Sequence, residues 1–189
     1  MIGGNIFLIG FMGCGKSAVG REMAKMTGKR LIEMDDAIAE EEGMAIPEIF
    51  EKKGEPYFRD LETEFLRIIA DAGDCIVSCG GGAAMREENV RLMKRSGIVV
   101  LLTADPETVY DRIHLGTGRP VLRGRMDVES IRSLMERRRP FYEAAADRTV
   151  ATDGRTVREV AERVISAGDP CEAKNHTKTS RIIPKDCRS

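Results

Sequence analysis

Short apolar runs alternate with amphipathic stretches from the N-terminus to residue 167. A short apolar run without a helical period predicts a buried strand, and apolar positions repeated every three or four residues predict a helix. The predicted strands are 5–10, 30–34, 75–78, 98–103 and 148–152. The predicted helices are 16–27, 35–42, 46–72 with an interruption near Gly54, 87–94, one beginning at Asp105, one from 128 to about 139 where Pro140 must kink or restart it, and 156–167. Strands that alternate with helices predict a parallel sheet with helices on both faces.

One domain followed by a short polar extension accounts for the length of the chain. The 189 residues suffice for a single ordinary domain, and we place that domain at residues 1–167. Residues 168–189 are polar and lack any apolar period, so we expect a flexible C-terminal tail. The net charge of −1 and the absence of tryptophan give no reason to expect nucleic acid or an anionic membrane as a partner.

Cysteine usage and the apolar runs indicate the cell compartment. The five cysteines form no C-x-x-C pair, and their number is odd, which favours a reduced protein without a disulfide framework. No basic, signal-like segment opens the chain. The apolar runs are far shorter than the roughly 20 residues of a membrane-spanning helix. We therefore expect a cytoplasmic protein.

Residues 10–17, Gly-Phe-Met-Gly-Cys-Gly-Lys-Ser, fit the phosphate-loop pattern G-x-x-x-x-G-K-[ST]. The segment follows a predicted strand and opens a predicted helix, which is the context that this motif needs. Its glycines let backbone N–H groups surround a phosphate, and the helix directs its positive end at the same anion. Lys16 can reach the β- and γ-phosphates, and the Ser17 hydroxyl can ligate Mg²⁺. A glycine turn with an incidental lysine is the alternative. The predicted nucleotide-binding residues of the loop are Gly13, Cys14, Gly15, Lys16, Ser17 and Ala18.

Two carboxylates lie at the end of the predicted strand 30–34. Asp35 directly follows it, and the carboxyl ends of central parallel strands face the ligand crevice of an open α/β sheet. Glu33 lies two residues earlier and points to the same side of the strand. One carboxylate could serve a magnesium shell and the other the hydroxyl of an acceptor. The alternative is that Asp35 simply caps the next helix.

A charged pair interrupts the apolar stripe of the helix that begins near Phe58. The predicted stripe is Phe58, Leu61, Phe65, Ile68, Ile69 and Ala72. Glu62 lies inside this stripe and Arg59 at its margin. A buried carboxylate needs a partner, and Arg59 is three residues away on the same side of the helix. We interpret Glu62 as the residue that aims Arg59 at an anion, and an ordinary surface ion pair is the alternative.

Arg138 lies on the core side of its predicted helix. The apolar positions of that helix are Val128, Ile131, Leu134 and Met135. The same period places Arg138 in the middle of their arc, and Arg137 and Arg139 outside it. An arginine on a core face needs a carboxylate or phosphate in bidentate geometry.

Two glycine-containing segments complete the candidate site. Gly80, Gly81 and Gly82 end a predicted strand, where they allow close approach of a ligand and offer N–H donors, although a plain loop also explains them. Residues 113–125 are typical of a mobile lid that carries Arg119. An arginine that closes over the γ-phosphate would stabilise the transferring charge and help to exclude water. A solvated basic loop is the alternative for this segment.

In combination, these features resemble the shikimate kinases, of the nucleoside-monophosphate-kinase-like P-loop group. The resemblance covers about residues 4–167. It is carried by the phosphate loop, Asp35, Ile49-Phe50 with Gly54-Glu55, Phe58-Arg59-x-x-Glu62, the glycine triplet, Arg119-Pro120-Val121-Leu122 and Arg138-x-Pro140-x-Tyr142. It implies a three-layer α/β/α fold with a five-stranded parallel sheet in the order 2-3-1-4-5 and a mobile lid. It also implies transfer from Mg·ATP to the 3-hydroxyl of shikimate, in aromatic amino-acid biosynthesis, by a protein that we expect to be a monomer.

The resemblance also implies roles for individual residues. The shikimate-binding residues would be Asp35, Arg59, Gly80, Gly81, Gly82 and Arg138. Asp35 would hold the hydroxyls and help to deprotonate the attacking one, and the two arginines would take the carboxylate. Lys16, Asp35 and Arg119 would be the catalytic residues. Arg112 would pack on adenine, and the turn at residues 153–155, with Arg155, would complete the adenine site.

One position departs from the family pattern. The family usually has aspartate where this chain has Glu33, and the extra methylene moves the carboxylate by about one carbon–carbon bond.

Two other functions remain as alternatives: a P-loop kinase for gluconate or a nucleoside monophosphate, and a P-loop binding module without turnover. A nucleotide acceptor would need a base pocket and several arginines for its phosphate. The pairing of two arginines with Asp35 and a glycine triplet favours a polyhydroxy carboxylate instead.

Overall fold

Five parallel strands form the central layer of the protein. The computed structural model describes residues 4–115 and 127–167. The strands are β1 (Asn5–Ile9), β2 (Arg30–Glu33), β3 (Cys75–Ser78), β4 (Gly97–Thr103) and β5 (Arg148–Ala151). Their order in the sheet is β2-β3-β1-β4-β5. Every residue of β1 is buried, because helices cover both faces of this central strand. The order 2-3-1-4-5 implied by the resemblance is confirmed.

Seven helices cover the two faces of the sheet in the described part of the chain. They are α1 (Lys16–Thr27), α2 (Met34–Glu42), α3 (Ile46–Ala72), α4 (Glu87–Ser96), α5 (Pro106–Leu115), α6 (Val128–Ala145) and α7 (Val157–Ala167). Side chains of α2, α3 and α4 form one core with Phe7 and Ile9, and side chains of α1, α5 and α7 form the other with Ile6 and Leu8. The three-layer α/β/α architecture is therefore confirmed. Within the described ranges, no helix has the length and apolar character required to cross a membrane.

Helix α3 is broken inside at Gly54, as the sequence predicted. Gly54 has φ 83° and ψ 167°, a backbone conformation that favours glycine, and a second helical segment starts directly after it. The predicted buried stripe of this segment is wrong at its end. Ile68 is 54% exposed and Ala72 is exposed, whereas Leu66 is fully buried. The buried residues include Glu62, Thr63 and Leu66, so the buried face is shifted by one residue from the predicted positions Leu61 and Phe65.

Most predicted elements differ from the structure at one boundary, and two of the differences concern the candidate site. Strand β2 ends at Glu33, which is the N-cap of α2, so Asp35 lies in the first turn of that helix and does not cap it. Helix α6 continues through Pro140 to Ala145 instead of ending near residue 139. Proline leaves the carbonyl of Glu136 without its helical donor. Both residues are exposed, so water can satisfy that carbonyl.

Candidate active site

The phosphate loop joins β1 to α1 and is shaped by glycine. Gly13 and Gly15 have φ values of 78° and 98°, and a side chain at Gly13 would also contact Ile113 and Val109 at 3.3 Å. Gly15 is the N-cap of α1, so the positive end of this helix faces the loop. Lys16 lies across the loop, where its Nζ donates to the carbonyl oxygens of Gly10 and Phe11 at 2.8 and 3.0 Å. The loop therefore holds the ammonium group close to the expected phosphate position.

Beside the loop, the hydroxyl of Ser17 contacts the end of β2. Its Oγ donates to Glu33 Oε2 at 2.9 Å, and the hydroxyl of Ser78 lies 3.5 Å away. Glu33 Oε1 is buried, has no hydrogen bond within the described chain, and lies 3.7 Å from the guanidinium of Arg21. A hydroxyl and a carboxylate oxygen are ligands that suit Mg²⁺. The described ranges contain no cluster of three or more His, Cys, Asp or Glu side chains that could hold a metal ion. Mg²⁺ that is bound through phosphates and water needs no such cluster.

One cavity of about 480 Å³ connects the loop with the strand ends. Residues that line it include Lys16, Ser17, Glu33, Asp35, Gly81 and Arg112. Asp35 is also within reach of the glycine triplet, because a Cβ at Gly80 would lie 2.6 Å from its Oδ1. The cavity can therefore hold a phosphate chain at the loop and a second ligand at Asp35.

Arg59 and Glu62 form an ion pair beside the glycine triplet. Arg59 Nη1 donates to Glu62 Oε2 at 2.8 Å, and Glu62 has no exposed surface. Burial raises the pKa of Glu62, against the hydrogen bond and charge of Arg59. Burial would lower the pKa of Arg59, but the hydrogen bonds and charges of Glu62 and Glu55 outweigh it and raise that pKa. A Cβ at Gly82 would overlap the Arg59 guanidinium, so that group lies against the backbone of the triplet.

Arg138 reaches the glycine triplet from α6. It is half-buried between the exposed Arg137 and Arg139, as its helical phase predicted. Its guanidinium carbon lies 5.9 Å from the centre of the Phe11 ring, and a Cβ at Gly81 would lie 3.7 Å from its Nη1. Arg59 and Arg138 thus approach neighbouring residues of the same triplet from two different helices.

Comparison with known proteins agrees with this geometry. The family model of shikimate kinase matches residues 12–168. The chain is 40% identical over 161 residues to a shikimate kinase of Thermodesulfovibrio yellowstonii, covering 85% of this chain and 92% of that protein. It is 43% identical over 160 residues to a shikimate kinase of Geobacter metallireducens, covering 85% and 89%. This chain belongs to the shikimate kinase family. A solved shikimate kinase of Acinetobacter baumannii in complex with shikimate superimposes with a TM-score of 0.79 at 34% identity, covering 87% of this chain and 92% of that structure.

In this member of the shikimate kinase family, only one of the two arginines predicted to contact adenine, Arg112, lines the cavity. Arg112 lines the cavity and donates through Nη1 to the carbonyl of Gly13 at 3.2 Å and to Thr152 Oγ1 at 3.0 Å. Arg155 is exposed and does not line the cavity; its guanidinium donates to the carbonyls of Ala151 and Asp153. Arg119 and most of the predicted lid at 113–125 lie outside the described residues, as does the predicted tail at 168–189.

Two side chains of the site received no role from the sequence. Tyr142 donates to the carbonyl of Gly81 at 2.6 Å and so fixes the triplet; burial raises its pKa, against the charge and hydrogen bond of Arg138. The sequence could have indicated this role, because Tyr142 lies one helical turn after Arg138 and therefore on the same face of the helix. Ser78 is buried, and its hydroxyl lies beside that of Ser17. The sequence signal that could have identified Ser78 is its place as the polar residue at the end of an apolar strand.

Gly80→Ala should disturb the acceptor side of this shikimate kinase family member without disturbing the loop. Its Cβ would lie 2.6 Å from Asp35 Oδ1 and 2.8 Å from Glu62 Oε1, so both carboxylates must move. We expect kcat/KM for the acceptor to fall about tenfold or more, because small displacements of reacting groups are costly, with unchanged affinity for ATP. Steady-state kinetics in both substrates measures this.

The neighbouring glycine provides the matched control. At Gly81 a Cβ would meet Arg138 Nη1 and the Tyr142 hydroxyl at 3.7 and 3.9 Å, which are ordinary contacts. Gly81→Ala should therefore leave both carboxylates in place, so that any loss it causes reflects only the room available to the acceptor. Unchanged kcat/KM for the acceptor in Gly80→Ala would contradict the close approach at Gly80.

Proposed function

We propose that the protein transfers the γ-phosphoryl group of ATP to the 3-hydroxyl of shikimate, giving shikimate 3-phosphate and ADP. This reaction is a step of chorismate and aromatic amino-acid biosynthesis. The observation that carries the proposal is the single cavity lined by both Lys16 and Asp35. It brings a phosphate-binding loop and a carboxylate together, and two half-buried arginines lie against the glycine triplet that the carboxylate approaches. The membership of the shikimate kinase family supports the choice of acceptor.

The donor side would bind the phosphate chain of ATP through the loop. The backbone N–H groups of residues 13–18 would surround the phosphates, and Lys16 would exchange its two carbonyl acceptors for β- and γ-phosphate oxygens. Ser17 would hold Mg²⁺, with Glu33 as the nearest carboxylate. The ion, when bound, neutralises part of the phosphate charge. Arg112 and Arg155 would contact the adenine, and Arg119 the transferring phosphate.

The acceptor side would bind a molecule with one carboxylate and several hydroxyls. Arg59 and Arg138 would share the carboxylate, since each guanidinium lies against the glycine triplet. Asp35 would accept hydrogen bonds from the hydroxyls. The N–H groups of Gly80, Gly81 and Gly82 would add donors that need no side chain. This arrangement discriminates against a nucleoside monophosphate, which requires a base pocket and more positive charge.

The chemical step would depend on positioning and charge. The oxygen of the acceptor hydroxyl forms a bond to the γ-phosphorus as the bond to the leaving ADP oxygen breaks, and Asp35 takes the hydroxyl proton. Lys16 and Arg119 would stabilise the charge on the phosphoryl oxygens.

The kinase domain would comprise residues 1–167, and residues 168–189 would be the tail. A cytoplasmic location, a monomeric state and the lid remain predictions.

The test is ATP consumption by the purified protein with Mg²⁺ and one acceptor at a time. Shikimate should stimulate ADP formation strongly over the reaction without acceptor, and gluconate or nucleoside monophosphates should not. Turnover with gluconate and not with shikimate would retain the P-loop kinase but contradict the proposed acceptor. A protein that binds ATP but never turns over with any of these acceptors would be a binding module. Chelation of Mg²⁺ should abolish the shikimate-dependent rate.

A further inference from the structure

Two carboxylates of the chain already hold the guanidinium of Arg59. Its Nη1 donates to Glu62, while on the opposite edge Nε and Nη2 both donate to Glu55 Oε1, at 3.2 and 2.7 Å. Three of the five N–H donors of the guanidinium, including both donors of its Nε–Nη2 edge, therefore have an acceptor before a ligand arrives. We propose that Glu55 competes with the carboxylate of the acceptor for Arg59 and thereby determines which acceptors the site admits. This inference rests on the proposed function, because it takes Arg59 to be a ligand of that carboxylate.

Of the two carboxylates, Glu55 is the one that can leave. The side chain of Glu62 has no exposed surface, whereas that of Glu55 is 63% exposed. Removing Arg59 from Glu62 would leave a buried carboxylate without its partner, which is strongly unfavourable. Glu55, once released, is hydrated at the surface. A carboxylate that binds the Nε–Nη2 edge of Arg59 in bidentate geometry therefore displaces Glu55 and keeps the pair of Arg59 with Glu62.

The guanidinium of Arg59 has little freedom to move aside during this exchange. Its central carbon lies 5.5 Å from the centre of the Phe58 ring and 6.0 Å from that of Phe50. On another side it lies against the backbone of Gly82, where even a Cβ would overlap it. The arginine thus stays in place while its acceptor changes.

The position of Glu55 follows from the break in α3. The non-helical conformation of Gly54 ends the first segment, so Glu55 begins the second segment and stands four residues before Arg59. A glutamate four residues N-terminal to a cation is the favourable orientation of a helical ion pair. The contact therefore forms from local sequence alone and is present before the acceptor binds.

The competition would favour acceptors with a carboxylate over neutral polyols, and it would reduce the affinity of the site for every acceptor that must displace Glu55. A carboxylate replaces Glu55 with an equivalent charge-assisted contact, whereas a hydroxyl gives a weaker one. A neutral polyol would thus leave Glu55 in place. The ion pair is partly exposed, and pairs of this kind change an equilibrium by about two- to fivefold.

The experiment compares Glu55→Gln with the wild type in calorimetric titrations with shikimate. Glutamine keeps an acceptor oxygen but loses the charge, so it holds the Nε and Nη2 donors less strongly, and shikimate should bind about two- to fivefold more tightly. Glu64→Gln is the matched control: Glu64 is exposed on the same helix and pairs with Arg67 at 2.9 Å. It removes the same charge, so its affinity for shikimate should equal that of the wild type.

A second readout reports on Arg59 without any ligand. The Nε–H resonance of Arg59 should shift in Glu55→Gln and stay in place in Glu64→Gln. Equal or weaker shikimate binding by Glu55→Gln, or the same gain in both variants, would overturn the inference. Absence of shikimate binding by the wild-type protein would instead overturn the proposed function, and the inference with it. The resonance shift in Glu55→Gln would still establish the contact between the two side chains.

Discussion

Lys16→Ala should lower the rate of shikimate phosphorylation by about a thousandfold, while the protein stays folded. The ammonium group is fixed by two carbonyl oxygens of the loop, so its charge is already in place when the γ-phosphoryl group becomes more negative. Loss of one fixed donor from such a site typically lowers kcat by about 10²- to 10³-fold, and here a full charge is lost as well. Single-turnover kinetics with saturating ATP and shikimate gives the size of the effect.

The control for Lys16→Ala is Lys25→Ala, on the last turn of the same helix. Lys25 is exposed and pairs only with Glu22 among the described side chains, at 3.3 Å. Its replacement should leave turnover unchanged. Thermal unfolding of both variants should resemble that of the wild type, because Lys16 is only half-buried and water can reach the freed carbonyls. Near-normal turnover by a folded Lys16→Ala variant would contradict the role of this residue.

Arg138→Ala should weaken shikimate binding by about a hundredfold and affect ATP binding little. Truncation of one partner of a desolvated charge pair commonly lowers affinity to this extent, and Arg138 is half-buried against Phe11 and the glycine triplet. The loss should appear mainly in the KM and dissociation constant for shikimate, and less in kcat. Calorimetric titration of each substrate separates these effects.

The two neighbouring arginines provide the controls for Arg138→Ala. Arg137 and Arg139 carry the same charge one residue away on either side, and both are exposed. Alanine at either position should leave shikimate affinity within a factor of about two, because isolated surface charges contribute little. Unchanged affinity in Arg138→Ala, or equal losses in all three variants, would refute the proposal that Arg59 and Arg138 share the carboxylate of the acceptor.

The fold and the helical phases could be predicted because they depend on local pattern. The phase of α6 placed Arg138 on the inner side, and the charged Glu62 inside an apolar stripe marked a buried partner of Arg59. Both predictions are confirmed by burial. The same method failed at Ile68, because the buried face follows Glu62 and Leu66 and so differs by one residue from the apolar pattern. The prediction also ended α6 too early. The helix continues through Pro140 because the carbonyl of Glu136, which lacks its helical donor, is open to water, and periodicity does not reveal that exposure.

Contacts between distant residues were the part that the sequence could not provide. The hydrogen bond from Ser17 to Glu33 depends on the relative rotation of α1 and β2, and that of Tyr142 to Gly81 on where α6 meets the triplet. The local i,i+4 spacing of Glu55 and Arg59 was visible in the chain. The role that we propose for Glu55 was not visible, because an ordinary surface ion pair and a pair that competes with the acceptor have the same spacing in sequence.

The break at Gly54 gives the acceptor side a corner. Helix α3 has 27 residues, but the non-helical conformation of Gly54 divides it into two segments, 46–53 and 55–72. The surroundings of Gly54 are open, since a Cβ there would meet only Pro56 Cδ, at 3.7 Å. Lys53 of the first segment and Tyr57 of the second both contact Glu42 of α2, so this one carboxylate joins the two segments across the break. One helix thereby provides two walls of a corner, with the Phe50 ring on the first and the Arg59 guanidinium on the second, 6.0 Å apart.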